Sequence, residues 1–339
     1  MTRALIVHHA GPGVTPQDPG RPGYLALGLS RGGAADRLAL VEGAALLGQD
    51  GTLAALEMAG MGGEFEVTED TRIALTGAPM RVSIGGVRVP WNASHLLRPK
   101  ERLAIGAAET GVYGYLHLGG GLKEPTVLEA QSTHLAGGIG RTVQAGDRLT
   151  IGPDRGGAIA MTLDSDARFD GGTVRIVPSL QTGLFPPDEI SRFEATTFRR
   201  DARGNRMGVR ILPPDGGFHT EAGLKVLSEV IVPGDVQITG DGMPFVLLCE
   251  CQTAGGYPRI GAVLPSDLPR VAQARPGAEL RFRFVTLDEG VAVERQEAAR
   301  RKALGKSIRP LIRHPGDIPD LLSYQLISGA TPGDDIERT

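Results

Sequence analysis

The chain has 339 residues and a mass of 35.6 kDa, with 41% apolar and 22% charged side chains, enough to bury a core and to exclude wholesale disorder. Its 49 glycines and 24 prolines follow no repeating period, which excludes a bundle of long helices and points to short strands joined by tight turns. A net charge of −3 gives no basic excess for nucleic acid, and no apolar run approaches the roughly 18 residues that span a bilayer.

In chain order, the first segment (3–8) reads as a strand. It has one Arg and a short apolar run broken by His8 and His9, which makes no secretory h-region. Further short segments bounded by Gly, Pro or Asp follow at 54–58, 64–68, 72–75, 81–84, 113–118 and 149–151. A second series lies at 173–177, 207–211, 226–232, 236–239, 245–249, 260–264 and 280–285. Their number and the turn residues between them indicate a mainly β protein of barrels or sandwiches. Helices are few and short. Asp36 caps a helix over 37–47 with Gly48 as its stop, and Pro186-Pro187-Asp188-Glu189 opens one ending near Phe193. Ser266-Asp267 caps a turn running to Gln273, and 294–304 forms a late helix stopped by Gly305.

The chain turns polar around 164–172, which predicts a first domain over 1–168, a second over 169–290 and a helical, loose extension over 291–339 ending in Asp334-Asp335. Each half closes with a similar turn and strand, Gln144-Ala145-Gly146-Asp147-Arg148-Leu149 and Arg275-Pro276-Gly277-Ala278-Glu279-Leu280, as two related barrels would.

Several familiar motifs fail on their chemistry. Gly305-Lys306-Ser307 ends like a phosphate loop, but the glycine needed five residues earlier is Arg300 and the segment before it is helical. Gly119-Gly120-Gly121 and Gly137-Gly138-Ile139-Gly140 belong to no strand–helix unit, and H-E-x-x-H and G-x-S-x-G are absent. The seven histidines lack ligand spacing. Cys249 and Cys251 lie two apart in an apolar run, on one face if it is a strand, a poor disulfide without a nearby His for zinc. They read as buried thiols of a cytoplasmic protein, and no metal site is expected.

Four segments can carry chemistry. In the Pro/Gly-dense loop from Val14 to Asp36, Arg21 can clamp a carboxylate in bidentate fashion, with Gln17 beside it and Asp18 orienting it or serving as a base. The same Asp18 and Arg21 can instead brace the loop. In the stretch Glu250-Cys251-Gln252-Thr253-Ala254-Gly255-Gly256-Tyr257-Pro258, Gln252 and Thr253 suit an amide or ureido group, and the N–H groups of Gly255 and Gly256 can face an oxyanion. A plain hairpin turn is the alternative. Arg206 and Arg210 fall on one face of a strand, and Ser228-Glu229 supplies the best carboxylate of the second half for proton transfer. The candidate catalytic groups are therefore Asp18, Arg21, Glu229 and Gln252. The candidate binding groups are Gln17, Arg206, Ser228, Thr253, Gly255, Gly256 and Tyr257.

Together these segments resemble one family. Gln17-Asp18-Pro19-Gly20-Arg21-Pro22-Gly23, Gly32-Gly33-Ala34-Ala35-Asp36 and Leu56-Glu57 resemble the opening of the biotin-dependent carboxyltransferase family, which includes the C-type subunits of 5-oxoprolinase and the second subunits of allophanate hydrolase. Ser132-Thr133, Gly137-Gly138, Gly140-Arg141 and Gly146-Asp147 fit its middle. Arg206-Met207-Gly208-Val209-Arg210, Ser228-Glu229, Gln252-Thr253, Gly255-Gly256-Tyr257-Pro258, Asp267-Leu268, Gln273 and Pro276-Gly277 fit its second half, so that the likeness runs from about residue 5 to 287.

The resemblance implies two cyclophilin-like β-barrel domains with few short helices, and a B-type partner subunit. With a further A-type subunit, such proteins form an ATP-dependent 5-oxoprolinase that opens the lactam of pyroglutamate. No cofactor is expected on this chain: ATP would be handled by a partner, or carboxybiotin would serve if the chain belonged instead to a urea-carboxylating enzyme. A third alternative is a non-catalytic regulator that holds an inhibitor of a kinase. The chain departs from the family at Ala44-Ala45-Leu46-Leu47-Gly48-Gln49, and with Asn205, Glu250 and Ala254 where the family has Asp, Asp, and Thr or Val.

Overall fold

The computed structural model describes residues 2–164, 166–220 and 226–312; the predicted acidic tail lies outside them. In the first half the strands form two sheets. One runs in the order Arg148–Thr150, Ala4–Ala10, Met61–Val67, Leu103–Ala108, Met80–Ile84, Val87–Arg88. The other runs Thr15–Gln17, Ala55–Ala59, Tyr113–Leu118, Thr71–Gly77, Ala93–Leu97, Met161–Thr162, Arg309–Pro310. Leu5, Val7, Phe65 and Ile105 of the first sheet and Leu56, Ile73, Leu75 and Leu116 of the second fill one apolar interior.

Helix α1 (Arg37–Leu47) covers the outer face of the second sheet, and the period of two decides what it meets. Along Tyr113–Leu118, Leu116 and Leu118 point into the interior, while Tyr113 and Tyr115 belong to a different cluster with Ala39 and Leu40. All six residues of that strand are buried. The helix ends are as the cap chemistry predicts: Asp36 accepts from the N–H groups of Leu38 and Ala39, and Gly48 takes the left-handed conformation at φ 61°.

The second half closes into a seven-stranded barrel: Gly172–Val177, Arg259–Val263, Asp235–Ile238, Pro244–Leu247, Gly208–Leu212, Phe198–Asn205 and Glu279–Phe284. The ring shuts through a parallel pairing of its first and last strands. Phe193, from α2 (Pro187–Ala195), packs against Phe198, Phe218 and Phe282 with ring centroids 4.9–5.2 Å apart. Helix α3 (Leu268–Gln273) follows the turn at Asp267.

Several expectations are corrected. The segment 226–232 forms only the short strand Glu229–Val230, paired with Ala254–Gly255 outside the barrel, because its Leu227 and Val230 face solvent. The strand expected over 245–249 ends at Leu247, so Cys249 and Cys251 share no strand face. They lie in a turn closed by a bond from Cys251 N–H to Leu248 O. Both are free thiols, and burial pushes each up to about 12. Arg206 occupies the turn before Gly208–Leu212 while Arg210 lies within that strand and pairs with Asp241, so the two arginines do not share a face. The late helix α4 (Leu287–Ala303) begins seven residues before its expected start, where Thr286 and Glu289 form a capping box. Beyond it Leu304 returns to bury against Leu46 and Leu47 of the first half, and Arg309–Pro310 joins the second sheet beside Met161–Thr162. Among the described residues no helix is long and apolar enough to cross a membrane.

The face beneath α1 makes stability depend on pH. His117 is 3% exposed, its Nε2 lies 2.8 Å from Thr76 Oγ1, and that hydroxyl donates to Ala39 O. With that hydroxyl committed to Ala39 O, the ring nitrogen is the donor in this contact. Burial holds the imidazole down at about 3. Below its unfolded value of about 6.5 the unfolded chain binds a proton that the folded chain refuses. The contribution is complete above about pH 6.5 and is lost progressively as the pH falls toward 3. Between about pH 6.5 and 5 this one group lowers stability by about 2 kcal/mol. His95 and His134, also lowered by burial, act in the same direction. Urea unfolding at neutral and mildly acidic pH should show the loss, and His117→Gln should flatten it; equal slopes for the two proteins would mean that His117 is not held neutral.

Candidate functional site

The two halves meet over a buried ion network. Arg206 donates from Nε to Glu250 (2.6 Å), from Nη1 to Glu57 and from Nη2 to Gly33 O (2.5 Å). Glu57 also accepts from Tyr115 Oη (2.6 Å) and from Ala35 N–H (2.8 Å). Burial raises the Glu250 carboxyl, but the charge and hydrogen bond of Arg206, the N–H of Ala136 and the nearby His134 outweigh it and hold the group below the usual range. A second knot lies alongside. Arg168 bonds Asp36 (2.7 Å) and Glu42 (2.6 Å), and Gln273 joins Asp36 (2.9 Å) to the main chain of Val112 and Tyr113. Both knots tie residues more than a hundred positions apart. The family motif residues Asp36, Glu57, Arg206 and Gln273 thus hold the halves together.

The early loop is braced by the same logic. Asp18 accepts from Gly20 N–H (2.8 Å) and Gln131 N–H (2.6 Å). Arg21 is 1% exposed and gives Nη2 to Ser132 O (2.5 Å) and Nε to Val127 O (3.4 Å). Both polar groups face inward and hold main chain rather than pairing with each other, and among the described residues the buried Nη1 of Arg21 has no hydrogen-bond partner. Burial lowers the guanidinium below its ordinary value, with Asp18 and Glu250 pulling the other way. Gln17, also buried, donates to Thr15 Oγ1 and Thr133 O. Gly33 sits at φ 77° where a side-chain carbon would lie 2.6 Å from Gly20 N, so the loop closes only with glycine there.

The later segment faces elsewhere. Gln252 and Tyr257 line a groove of about 290 Å³ on the second barrel with Asn205, Gln237, Thr239 and Phe245, and no charged residue lines it. Gln237 is 6% exposed, and among the described residues its Nε2 has no hydrogen-bond partner. Gly255 passes so close that a side-chain carbon there would stand 2.7 Å from this nitrogen. Glu229 lies opposite Gly255 in the small two-stranded sheet, accepting from Arg259 (2.5 Å) and Gln181 (2.9 Å), while Ser228 is exposed. The Thr253 main chain accepts from Ile231 N–H.

The predicted residues therefore divide. Gln17, Asp18, Arg21 and Arg206 lie in the join; Gln252, Tyr257 and Gly255 gather at the groove, with Glu229 on its flank. The two groups touch through the turn between them, where Gly32 N–H bonds Cys249 O (2.9 Å) and Ala136 N–H bonds Glu250 (3.0 Å). Arg21 does not line the groove, so Arg21 and Gln252 do not face a common pocket within the chain. Gln237 is the groove residue that the spacing does not reveal; a glutamine inside an apolar strand is its only local sign.

This architecture can be compared with known proteins. Residues 27–284 match the family described as "Carboxyltransferase domain, subdomain A and B". The chain belongs to that family. It is 32% identical over 286 residues to the C subunit of the 5-oxoprolinase of Haemophilus influenzae, covering 83% of this chain and 91% of that one. It is also 24% identical over 319 residues to the urea amidolyase of Saccharomyces cerevisiae, covering 86% of this chain but 17% of the relative. The crystal structure of TTHA0988 superposes with a TM-score of 0.76 at 30% identity, covering 83% of this carboxyltransferase-family chain, which spans 56% of the length of that protein. The family match starts after the 17–23 loop and ends before α4, so both lie outside the matched segment.

Proposed function

We propose that the chain is the C-type subunit of a 5-oxoprolinase-like complex that opens a lactam such as pyroglutamate, working with a B-type subunit and an A-type subunit that handles ATP. The observation that carries this reading is the likeness to a 5-oxoprolinase C subunit over nine-tenths of that relative's length. The uncharged groove suits the lactam ring of such a substrate, whose carboxylate meets no cation among the described lining residues and would face solvent. A lactam offers one C=O and one N–H, and Gln237 and Gln252 each offer a donor and an acceptor. A buried amide nitrogen without a partner gains most from a carbonyl that comes within hydrogen-bond reach. Glu229, held by Arg259 beside the groove, is the carboxylate assigned to proton transfer.

Co-expressed with its A- and B-type partners, the chain should support ATP-dependent opening of pyroglutamate. Gln237→Leu and Gln252→Ala should each lower kcat/KM by about 10–100-fold, the worth of one or two hydrogen bonds to a buried group. Full turnover in both variants would remove the groove from the mechanism, and no turnover in any assembly would remove the lactam reading. The urea amidolyase likeness favours carboxyl transfer as the second reading, which transfer of label from a carboxylated biotin carrier to urea would support.

A further inference from the structure

A second cleft lies on the other side of the 248–251 turn and shares no lining residue with the uncharged groove. It encloses about 250 Å³. Its wall is apolar, with Leu248, Leu268 and three prolines, and its charge comes from Arg31, Arg37 and Arg301; among the described residues no Asp or Glu lines it. The three arginines reach it from separate parts of the chain: the early loop, the first residue of α1, and the last turn of α4.

Their partners leave most of their donors unused. Arg31 spends Nε on Pro19 O (3.0 Å), and Arg301 spends Nε on Glu297 (3.0 Å). Among the described residues the Arg37 guanidinium has no hydrogen-bond or ion-pair partner. Arg37 also stands at the positive end of a helix, where the adjacent acid, the capping Asp36, is spent on the N–H groups of Leu38 and Ala39 and on Arg168. Arg37 keeps an exposed surface, and the partial loss of water around it, followed by the charges of Arg31 and Arg301, pushes it down to about 10. Folding alone gains nothing from collecting three like charges around an apolar hollow. An anion seated among them would relieve the repulsion and use the free donors, while the hollow would take an uncharged body.

We propose that this cleft binds a small organic acid, with its carboxylate held by Arg37 together with Arg31 and Arg301 and its apolar body against Leu248 and Leu268. Arg301 belongs to α4, outside the 27–284 family match, so the extension completes the site. The proposal is independent of the lactam reading, because the probes below carry no lactam and binding is read without turnover.

The test is an NMR titration of the arginine Nε–H signals of the full chain with isovalerate, with its uncharged amide isovaleramide and with inorganic phosphate. Isovalerate should shift the Arg37 and Arg301 signals saturably, and isovaleramide should not. Arg37→Gln and Arg301→Gln should each weaken isovalerate binding about tenfold, the worth of a charge-assisted hydrogen bond, whereas Arg37→Lys should retain most of it. Thermal melting supplies the second readout: Arg37→Gln removes a repulsive charge and should leave Tm unchanged or higher. The proposal is overturned if isovalerate fails to saturate or binds the glutamine variants equally well. It is likewise overturned if phosphate saturates the cleft and the carboxylate does not, or if Arg37→Gln lowers Tm by several degrees, which would make the arginine structural.

Discussion

Arg206→Ala is expected to cost about 3–5 kcal/mol, the penalty for removing one partner of a buried ion pair and leaving the other charged. Here two carboxylates would be stranded. Glu57 is 1% exposed and Glu250 3%, and the guanidinium between them is their shared cation. Tyr115 and the main-chain N–H groups of Ala35 and Ala136 would remain as donors, but neutral donors do not replace a full charge at that depth. The carbonyl of Gly33 would lose its donor as well, loosening the loop that closes on the second barrel. For a chain of 339 residues the loss corresponds to a fall in Tm of about 4–7 °C. Arg206→Lys should recover only part of it, because an ammonium cannot reach three acceptors in one plane. The contrast is Arg88→Ala. Its pair with Glu109 spans 3.4 Å at 79% and 48% exposure, and its removal should shift stability by less than about 0.5 kcal/mol. Melting curves of the three variants decide the matter; equal effects for Arg206→Ala and Arg88→Ala would mean that the join is not held by its ions.

That network also shows where sequence reasoning stops. Asp36 and Gly48 bracket α1 to the residue because capping is decided within four positions on either side of a helix end. Thr286 and Glu289 carry an equally local signal, and the T-x-x-E spacing is enough to place the true start of α4. Many of the strands are legible for the same reason, since alternation is local, but Ala93–Leu97, Leu103–Ala108 and Phe198–Asn205 are not among those expected. Glu57 and Arg206 are 149 positions apart, and no spacing rule joins them. Whether Arg21 clamps a ligand or braces its loop depends on where Ser132 O arrives, 111 positions later. The loop's residue types are compatible with either, and only the fold chooses. Gln252 is an intermediate case. Its neighbours mark a polar turn with close-packing glycines, so its exposure beside a groove is readable, but the unsatisfied nitrogen of Gln237 opposite Gly255 is a product of register between two elements.

The glycine at position 43 is a sharper instance of the same dependence, and its replacement gives the second large effect. In the middle of α1 an alanine should be better than glycine by about 1 kcal/mol on helix propensity alone. Gly43→Ala is nonetheless expected to destabilise, because a side-chain carbon there would stand only 2.2–2.3 Å from three ring atoms of His117. Neither group can step aside. His117 is held by Thr76, which is itself bonded to the α1 main chain at Ala39, and Tyr115 stacks beside it with centroids 6.3 Å apart. Relief therefore requires α1 to lift from the sheet, which would also open its contacts at Leu46 and Leu47. Overpacking of this kind costs about 3 kcal/mol, so a net loss of about 2 kcal/mol remains after the propensity gain. A double-mutant cycle separates the clash from any other cause. His117→Ala alone should destabilise by leaving a cavity and an unpaired Thr76, but Gly43→Ala in that background should be neutral or favourable, giving a coupling above about 1 kcal/mol. Additive losses in urea unfolding would show that the helix does not rest on the imidazole, and with it the neutral state of His117 and the pH dependence it imposes would lose their structural cause.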